Sequence, residues 1–145
     1  MKKQKIYILF IVIMANVLSF ANKTVAEGKS ELTTVTISVA GDCTFGSDAV
    51  FPSSVNFYAV YNKLHKDMGY FFKKVRHIFA EDDLSFVNFE GTLTTRATRA
   101  DKKFAFKGPP SYVNILRKSS IEAVSFANNH CRDFGSGSYT DTISA

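Results

Sequence analysis

The chain has no tryptophan, only two cysteines and only three prolines among its 145 residues. Two cysteines are too few for a disulfide scaffold, and their separation fits no zinc-ribbon spacing. Proline and glycine are too rare for a fibrous or low-complexity chain. With 46% hydrophobic and 21% charged residues, the composition is that of a globular protein, and the length allows one domain at most.

The net charge of +5 does not indicate a nucleic-acid partner. Three of the excess positive charges are Lys2, Lys3 and Lys5, which precede the first apolar run. The small excess that remains is not the basic stripe that a phosphate backbone requires, so we expect no nucleic acid to bind.

The N-terminal residues have the pattern of an export signal. A basic start, Met1–Lys5, precedes an uncharged apolar stretch over Ile6–Ala21, as in signal peptides. Small residues suit cleavage before Asn22 or before Glu27. The alternative is an uncleaved membrane anchor, for which the stretch is slightly short. Either interpretation of residues 1–21 places the rest of the chain outside the cytoplasm.

Residues 22–32 are polar and aperiodic, which is typical of a linker, and the folded domain is expected over 33–145. Strands are predicted at Thr33–Ala40, ending in a turn at Gly41, and at Leu84–Asn88 and Ala123–Ala127. Helices are predicted around Phe57–Leu64, Phe71–Phe79, Tyr112–Ser119 and from Ser138 onward, with the apolar residues at helical spacing assigned to the core: Phe57, Val60, Tyr61, Leu64, Phe71, Val75, Ile78 and Phe79.

This alternation of strands and helices predicts an α/β fold with a mainly parallel sheet and flanking helices. Each predicted strand is followed by a polar cluster: Gly41-Asp42, then Asn88-Phe89-Glu90, then Asn128-Asn129-His130. Function in such sheets lies at the carboxyl ends of the strands. Taken singly these clusters are typical of turns, but their succession predicts one shared crevice.

The residue types in that crevice favour a metal-dependent phosphoesterase. Asp42, Glu90 and the amide of Asn129 are oxygen ligands suited to hard divalent cations. Two neighbouring carboxylates repel each other unless a cation neutralises them. A pair of such cations can bind and activate a phosphate ester, and His130 beside them could protonate the leaving group.

Three strings carry a family resemblance: AGDCTFG at 40–46, VNFEGTL at 87–93, and FANNH at 126–130 with DFG at 133–135. They resemble the CapA/PgsA family of bacterial poly-γ-glutamate capsule synthesis proteins, from about Thr33 to the end. The resemblance implies a calcineurin-like metallophosphoesterase fold, exported and held at the cell surface.

The resemblance also implies residue roles. Asp42, Glu90 and Asn129 look like metal ligands, for Mn, Fe, Zn or Mg. His130 looks like the catalytic histidine, with Asp133 fixing its tautomer. Asn88 is expected to support Glu90.

The sequence departs from this family in its histidines. The family's other metal-binding histidines lie in the second half of the domain, and no histidine follows His130 here. His65 and His77 lie in the predicted helical stretch and are not expected to be ligands. The expectation is therefore a partial metallophosphoesterase fold, with the second half of the sandwich missing.

Three functions stay open on the sequence alone. The first is capsule biosynthesis or export of the CapA type, with the membrane, other capsule-synthesis membrane proteins and polyglutamate as partners. The second is an exported phosphohydrolase, and the third is an inactive truncated fragment. Cys43 and Cys131 flank two of the polar clusters, and they are interpreted either as partly buried thiols or as a pair in an oxidising compartment.

Overall fold

A computed structural model describes residues 32–48, 50–52, 54 and 56–145. Within the chain, Val35–Ala145 forms a compact unit. The predicted signal or anchor over 1–21 and nearly all of the predicted linker over 22–32 lie outside the described residues, so both stay predictions. Across the described part, no helix combines the length and the apolar character that a membrane span needs.

The described residues alternate between strands and helices. In chain order the elements are β1 (Ile37–Cys43), α1 (Phe57–Lys63), α2 (Arg76–Glu81), β2 (Leu84–Phe89), β3 (Thr92–Leu93), β4 (Lys107–Gly108), a 3₁₀ turn (Pro110–Tyr112), α3 (Val113–Lys118), β5 (Ala123–Ser125) and α4 (Ser136–Ser144). This order confirms the predicted alternation.

The main sheet has the strand order β1-β2-β5, and both of its pairings are parallel. Parallel neighbours need a crossover connection, and here helices lie in both crossovers. The predicted α/β class with a mainly parallel sheet and flanking helices is therefore confirmed. β2 lies in the middle, so its carboxyl end has a neighbouring strand end on each side.

The prediction that β1 turns sharply at Gly41 was wrong. The strand continues to Cys43, and its register shifts between Ala40 and Asp42 because Gly41 is inserted as a bulge. A bulge bends the strand and re-aims the side chains that follow it. A Cβ added at Gly41 would meet open space, so packing alone does not require glycine at this exposed position.

The helical segments between β1 and β2 are shorter than predicted. α1 begins after Asn56, whose side chain accepts a hydrogen bond from the Ala59 N–H at 3.2 Å. It ends before His65 and Lys66, which have positive φ values of 51° and 62° and so cannot continue a right-handed helix. Residues 68–75 form turns, and helix resumes only at α2.

The core lies on the inner face of the sheet, where Val87 and Phe89 are buried against Tyr112 and Ile115. Aromatic residues of the α1–α2 region pack on this cluster, with the Phe57 ring 5.2 Å from that of Tyr112. Assigning the whole apolar repeat to the core was wrong for three residues, which keep at least 40% of their surface exposed: Val60, Val75 and Ile78. Helical spacing does not identify the buried face when the helices are only six or seven residues long.

A second, two-stranded parallel sheet of β3 and β4 was not predicted. Two residues per strand are too few to show the alternation by which strands are recognised in a sequence. Gly91 connects β2 to β3 with φ 131°, a conformation that L side chains rarely adopt. This turn fixes Glu90 at the end of the main sheet.

Candidate metal and acid-base site

The ends of β1 and β2 lie side by side. The register pairs Asp42 with Asn88 and Cys43 with Phe89, and the Glu90 N–H donates to the Cys43 carbonyl at 3.1 Å. The parallel ladder therefore extends one residue beyond β2. As a result, Asp42 and Glu90 leave adjacent strand ends at the same edge of the sheet.

The Gly41 bulge determines which way Asp42 points. Paired residues of neighbouring strands share a face of the sheet, so the inserted glycine places Asp42 opposite Asn88 and leaves Cys43 on the buried face with Phe89. The Asn88 Nδ2 donates to the Asp42 Oδ1 at 2.7 Å. The bulge thus turns a carboxylate away from the core and toward the site.

The carboxyl groups of Asp42 and Glu90 lie close enough to shift each other's pKa. The pKa of Asp42 lies below its ordinary value, first because the Asn88 amide donates to it and then because the Glu90 carboxyl does. The pKa of Glu90 is raised, chiefly by its hydrogen bond to Asp42 and then by burial. Like charges this close favour one shared proton or a bound cation.

His130 links this carboxyl pair to a buried acid. Its Nε2 lies 3.3 Å from the Glu90 Oε1, and its Nδ1 lies 2.7 Å from the Asp133 Oδ2. The His130 residue is 7% exposed and Asp133 is fully buried. The predicted contact between Asp133 and His130 is therefore present, and Nε2 is the ring nitrogen that faces Glu90.

Asp133 has donors on both of its oxygens. Lys102 Nζ donates to Oδ1 at 2.7 Å, while Oδ2 accepts from the Phe106 N–H as well as facing His130. A buried carboxylate is tolerated when its lone pairs are occupied in this way. The Phe106 ring also packs on the imidazole, with 4.8 Å between ring centroids.

The two asparagines before His130 have different surroundings. Asn128 anchors the loop to β2, since its Nδ2 donates to the Asn88 Oδ1 at 3.1 Å and to the Phe89 carbonyl at 2.8 Å. Its Oδ1 accepts from the His130 N–H at 2.9 Å. Asn129 is exposed, and within the described residues its side chain has no hydrogen bond to the carboxyl pair.

Asn88 differs from its predicted role. It was expected to support Glu90, but its side chain bonds to Asp42 and to Asn128 instead. Asn88 therefore bridges the β1 end to the loop after β5. Its amide uses both functions, with Nδ2 as donor and Oδ1 as acceptor.

A buried ion pair holds the 96–105 loop beside the site. Arg99 contacts both oxygens of Asp48, at 2.9 Å and 2.6 Å, and the Asp48 Oδ2 also accepts from the Ala105 N–H. The Arg99 guanidinium is the first cause that lowers the pKa of Asp48 to about 2. Nothing local in the sequence of this charged segment reveals its partners.

The donor set fits a hard cation in part. Across the portion of the chain that the structure describes, no group of three or more histidine, cysteine, aspartate or glutamate side chains is arranged to hold a metal ion. Asp42 and Glu90 supply two carboxylates that lie together, and amide oxygens are the remaining hard donors nearby. A divalent cation held by this carboxyl pair, with Asn129 as the third ligand, stays a prediction.

The other candidate residues lie apart from this cluster. His65 and His77 are exposed in the α1–α2 region, and that they are not ligands stays a prediction. Cys43 and Cys131 are free thiols, the first of them buried. Burial raises the pKa of the Cys43 thiol, which keeps it protonated and unreactive.

The fold and this cluster define a class: an α/β protein with a carboxyl pair, a histidine and a buried aspartate at the carboxyl edge of a parallel sheet. The chain belongs to the family of bacterial capsule synthesis proteins, since the family profile "Bacterial capsule synthesis protein PGA_cap" matches residues 36–145. The resemblance stated from the three sequence strings is thereby confirmed. No curated protein matches the chain.

Proposed function

We propose that this capsule synthesis protein acts as an exported, metallophosphoesterase-like component of poly-γ-glutamate assembly or export. The observation that carries the proposal is the convergence of three strand ends, which brings Asp42 and Glu90 together and sets His130 against Glu90. Family membership supports capsule synthesis, and the site supports phosphoester chemistry.

In this proposal the chain's own residues bind and protonate. Asp42 and Glu90, with Asn129, would hold a divalent cation at the sheet edge. His130, oriented by Asp133, would present Nε2 to the leaving oxygen of a phosphate ester and donate a proton to it. The cation would supply charge neutralisation of the phosphate oxygens.

The surroundings of His130 suit this task. Packing against Phe106 and contact with buried Asp133 exclude water from the Nδ1 side of the ring. Nε2 points to the other side, where Glu90 lies. A histidine held by one nitrogen can exchange a proton through the other.

The location and the polymer are part of the proposal. The basic and apolar pattern over residues 1–21 supports export, with the protein secreted or anchored outside the cytoplasm of a bacterium. Its partners would be the membrane, the other membrane proteins of capsule synthesis and polyglutamate itself.

Complementation in a capsule-forming host tests the capsule role. In a strain that lacks the gene, expression of Asp42→Asn or His130→Ala should give cell-surface polymer at the level of the deletion strain. His77→Ala, which changes an exposed histidine away from the site, is the matched control and should restore the polymer. Restoration by all three variants would rule out this site as the source of the function.

An exported phosphohydrolase with the same site is the second candidate, favoured by the carboxyl pair beside His130. It differs in its target, since it would act on a free phosphate ester rather than in polymer assembly. Divalent-ion-dependent hydrolysis of a chromogenic phosphate ester, lost in Asp42→Asn, together with unchanged polymer in the deletion strain, would select this candidate.

A further inference from the structure

We propose that Lys102 is a positioning residue for His130. Its ammonium group fixes the Asp133 carboxylate and the loop backbone before His130, and through them it sets the tautomer and the direction of the imidazole. The consequence for catalysis rests on the proposed function, whereas the positioning itself is a property of the folded chain.

Lys102 has two hydrogen-bond acceptors in one small volume and lies beside the imidazole of His130. Its Nζ lies 2.7 Å from the Asp133 Oδ1, 2.8 Å from the Asn129 carbonyl oxygen and 3.4 Å from the His130 Nδ1. The side chain is 27% exposed, while that of Asp133 is fully buried. An ammonium group has three protons to donate, so the carboxylate and the carbonyl can both be bonded at once.

These contacts fix the proton on the imidazole. Asp133 receives donors from Lys102 and from the Phe106 backbone, which stabilises it as an acceptor-only carboxylate. At 2.7 Å from such an oxygen, Nδ1 must carry the hydrogen, because two bare acceptors would repel. Nε2, the nitrogen that faces Glu90, is then the ring position through which a proton is taken up and given away.

Lys102 also holds the backbone of the loop that bears the site. Its bond to the Asn129 carbonyl joins the 96–105 loop to the residue directly before His130. A second link runs from the Ala100 N–H to the Asp133 carbonyl at 2.8 Å. Arg99 ties the same loop to buried Asp48. The backbone that carries Lys102 is therefore itself held in place.

The neighbouring Lys103 provides a matched control. It is exposed, and its Nζ lies 5.2 Å from the centre of the Phe104 ring. Its ammonium group makes no hydrogen bond to the Asp133–His130 pair within the described residues. Lys103→Met therefore removes the same charge from the same loop without removing the contacts that carry the proposal.

Nitrogen NMR of the full chain labelled with ¹⁵N-histidine tests this directly. The sequence has only three histidines, and the exposed His65 and His77 serve as internal references away from the site. In wild type and in Lys103→Met, His130 should show one tautomer with the proton on Nδ1. In Lys102→Met that single-tautomer signature should be lost, while the two reference histidines stay unchanged.

Lys102→Arg keeps the charge and the donors, so it should retain the Nδ1–H signature. A Lys102→Met protein with the wild-type His130 spectrum would overturn the proposal. So would loss of the cooperative urea transition in both Lys102→Met and Lys102→Arg, because Lys102 would then be a residue of the fold alone.

Kinetics separate this proposal from the proposed function. If the protein hydrolyses a phosphate ester, Lys102→Met should lower kcat by about 10–100-fold, the range for residues that orient site groups, and leave KM unchanged. A rise in KM with kcat unchanged would contradict a positioning role for Lys102. If wild type hydrolyses nothing, the phosphoesterase proposal fails, while the NMR comparison still decides the role of Lys102.

Discussion

The two halves of the candidate site are built in opposite ways. The half around Asp133 is buried and saturated, with donors from Lys102, from the Phe106 backbone and from His130. In the half around Asp42 and Glu90, Asp42 is exposed, and the two carboxyl groups shift each other's pKa. The first is stable through contacts within the chain, whereas the second gains most from a positive ligand.

This difference predicts separate consequences for substitutions in each half. A buried charge that loses its partner costs stability because the remaining group cannot return to water. Neutralising an exposed carboxyl group beside a like charge costs little stability, because the substitution also removes the repulsion between the two charges. Stability and ion binding should therefore report on different residues of one site.

The largest effect on stability is expected for Asp133→Asn. It keeps the size of the side chain but removes the charge that Lys102 and His130 face, so it should lower the free energy of unfolding by about 3–5 kcal/mol. Urea denaturation followed by circular dichroism measures this. Asp101→Asn, an exposed neighbour of Lys102, is the control; equal midpoints for the two variants would contradict the saturated network.

A somewhat smaller loss is expected for Asp48→Asn, because Arg99 stays partly exposed when its partner is neutralised. We expect about 3 kcal/mol, the low end for removing one member of a buried pair. The same denaturation experiment applies. Stability equal to that of wild type would mean that the 96–105 loop is held by other contacts.

Acid should destabilise the folded chain through Asp48. The pKa of Asp48 is about 2 in the folded chain, below its ordinary 3.8, so its contribution is complete above about pH 4 and is lost as the pH falls toward 2. Urea midpoints at pH 5 and pH 2.5 should therefore differ more in wild type than in Asp48→Asn. The same pH dependence in both proteins would place the acid sensitivity elsewhere.

The smallest effect on stability is expected for Asp42→Asn, which should leave the urea midpoint unchanged. The same substitution should lower the pKa of Glu90 toward its ordinary value, because the Asp42 carboxyl is the main cause that raises it. Carbon NMR of the side-chain carboxyl groups, titrated without added metal, measures the shift. An unmoved Glu90 titration would show that burial, rather than Asp42, dominates.

The sequence predicted the arrangement of the sheet and the groups that end its strands. Asp42, Glu90 and His130 follow three apolar runs, and the parallel order of those runs is sufficient to bring them together. The position of Asp133, three residues after His130, placed it within reach on the same loop.

Other features depend on contacts that no local pattern encodes. Lys102 and Arg99 lie in a charged segment, and their partners Asp133 and Asp48 are 31 and 51 residues away. Gly41 resembles a turn glycine, and only pairing with β2 reveals it as a bulge. Positions 128 and 129 are both asparagine, so only the fold shows that Asn128 is the one that anchors the loop to β2.

Equilibrium binding of Mn²⁺ to the full chain tests the central claim most directly, because it examines the half of the site around Asp42 and Glu90 without requiring a substrate. The account predicts binding by wild type and by His77→Ala, and affinity at least about 10-fold weaker in Asp42→Asn and in Glu90→Gln. Equal affinity in all four proteins, or no binding by wild type, would contradict a metal site formed by Asp42 and Glu90.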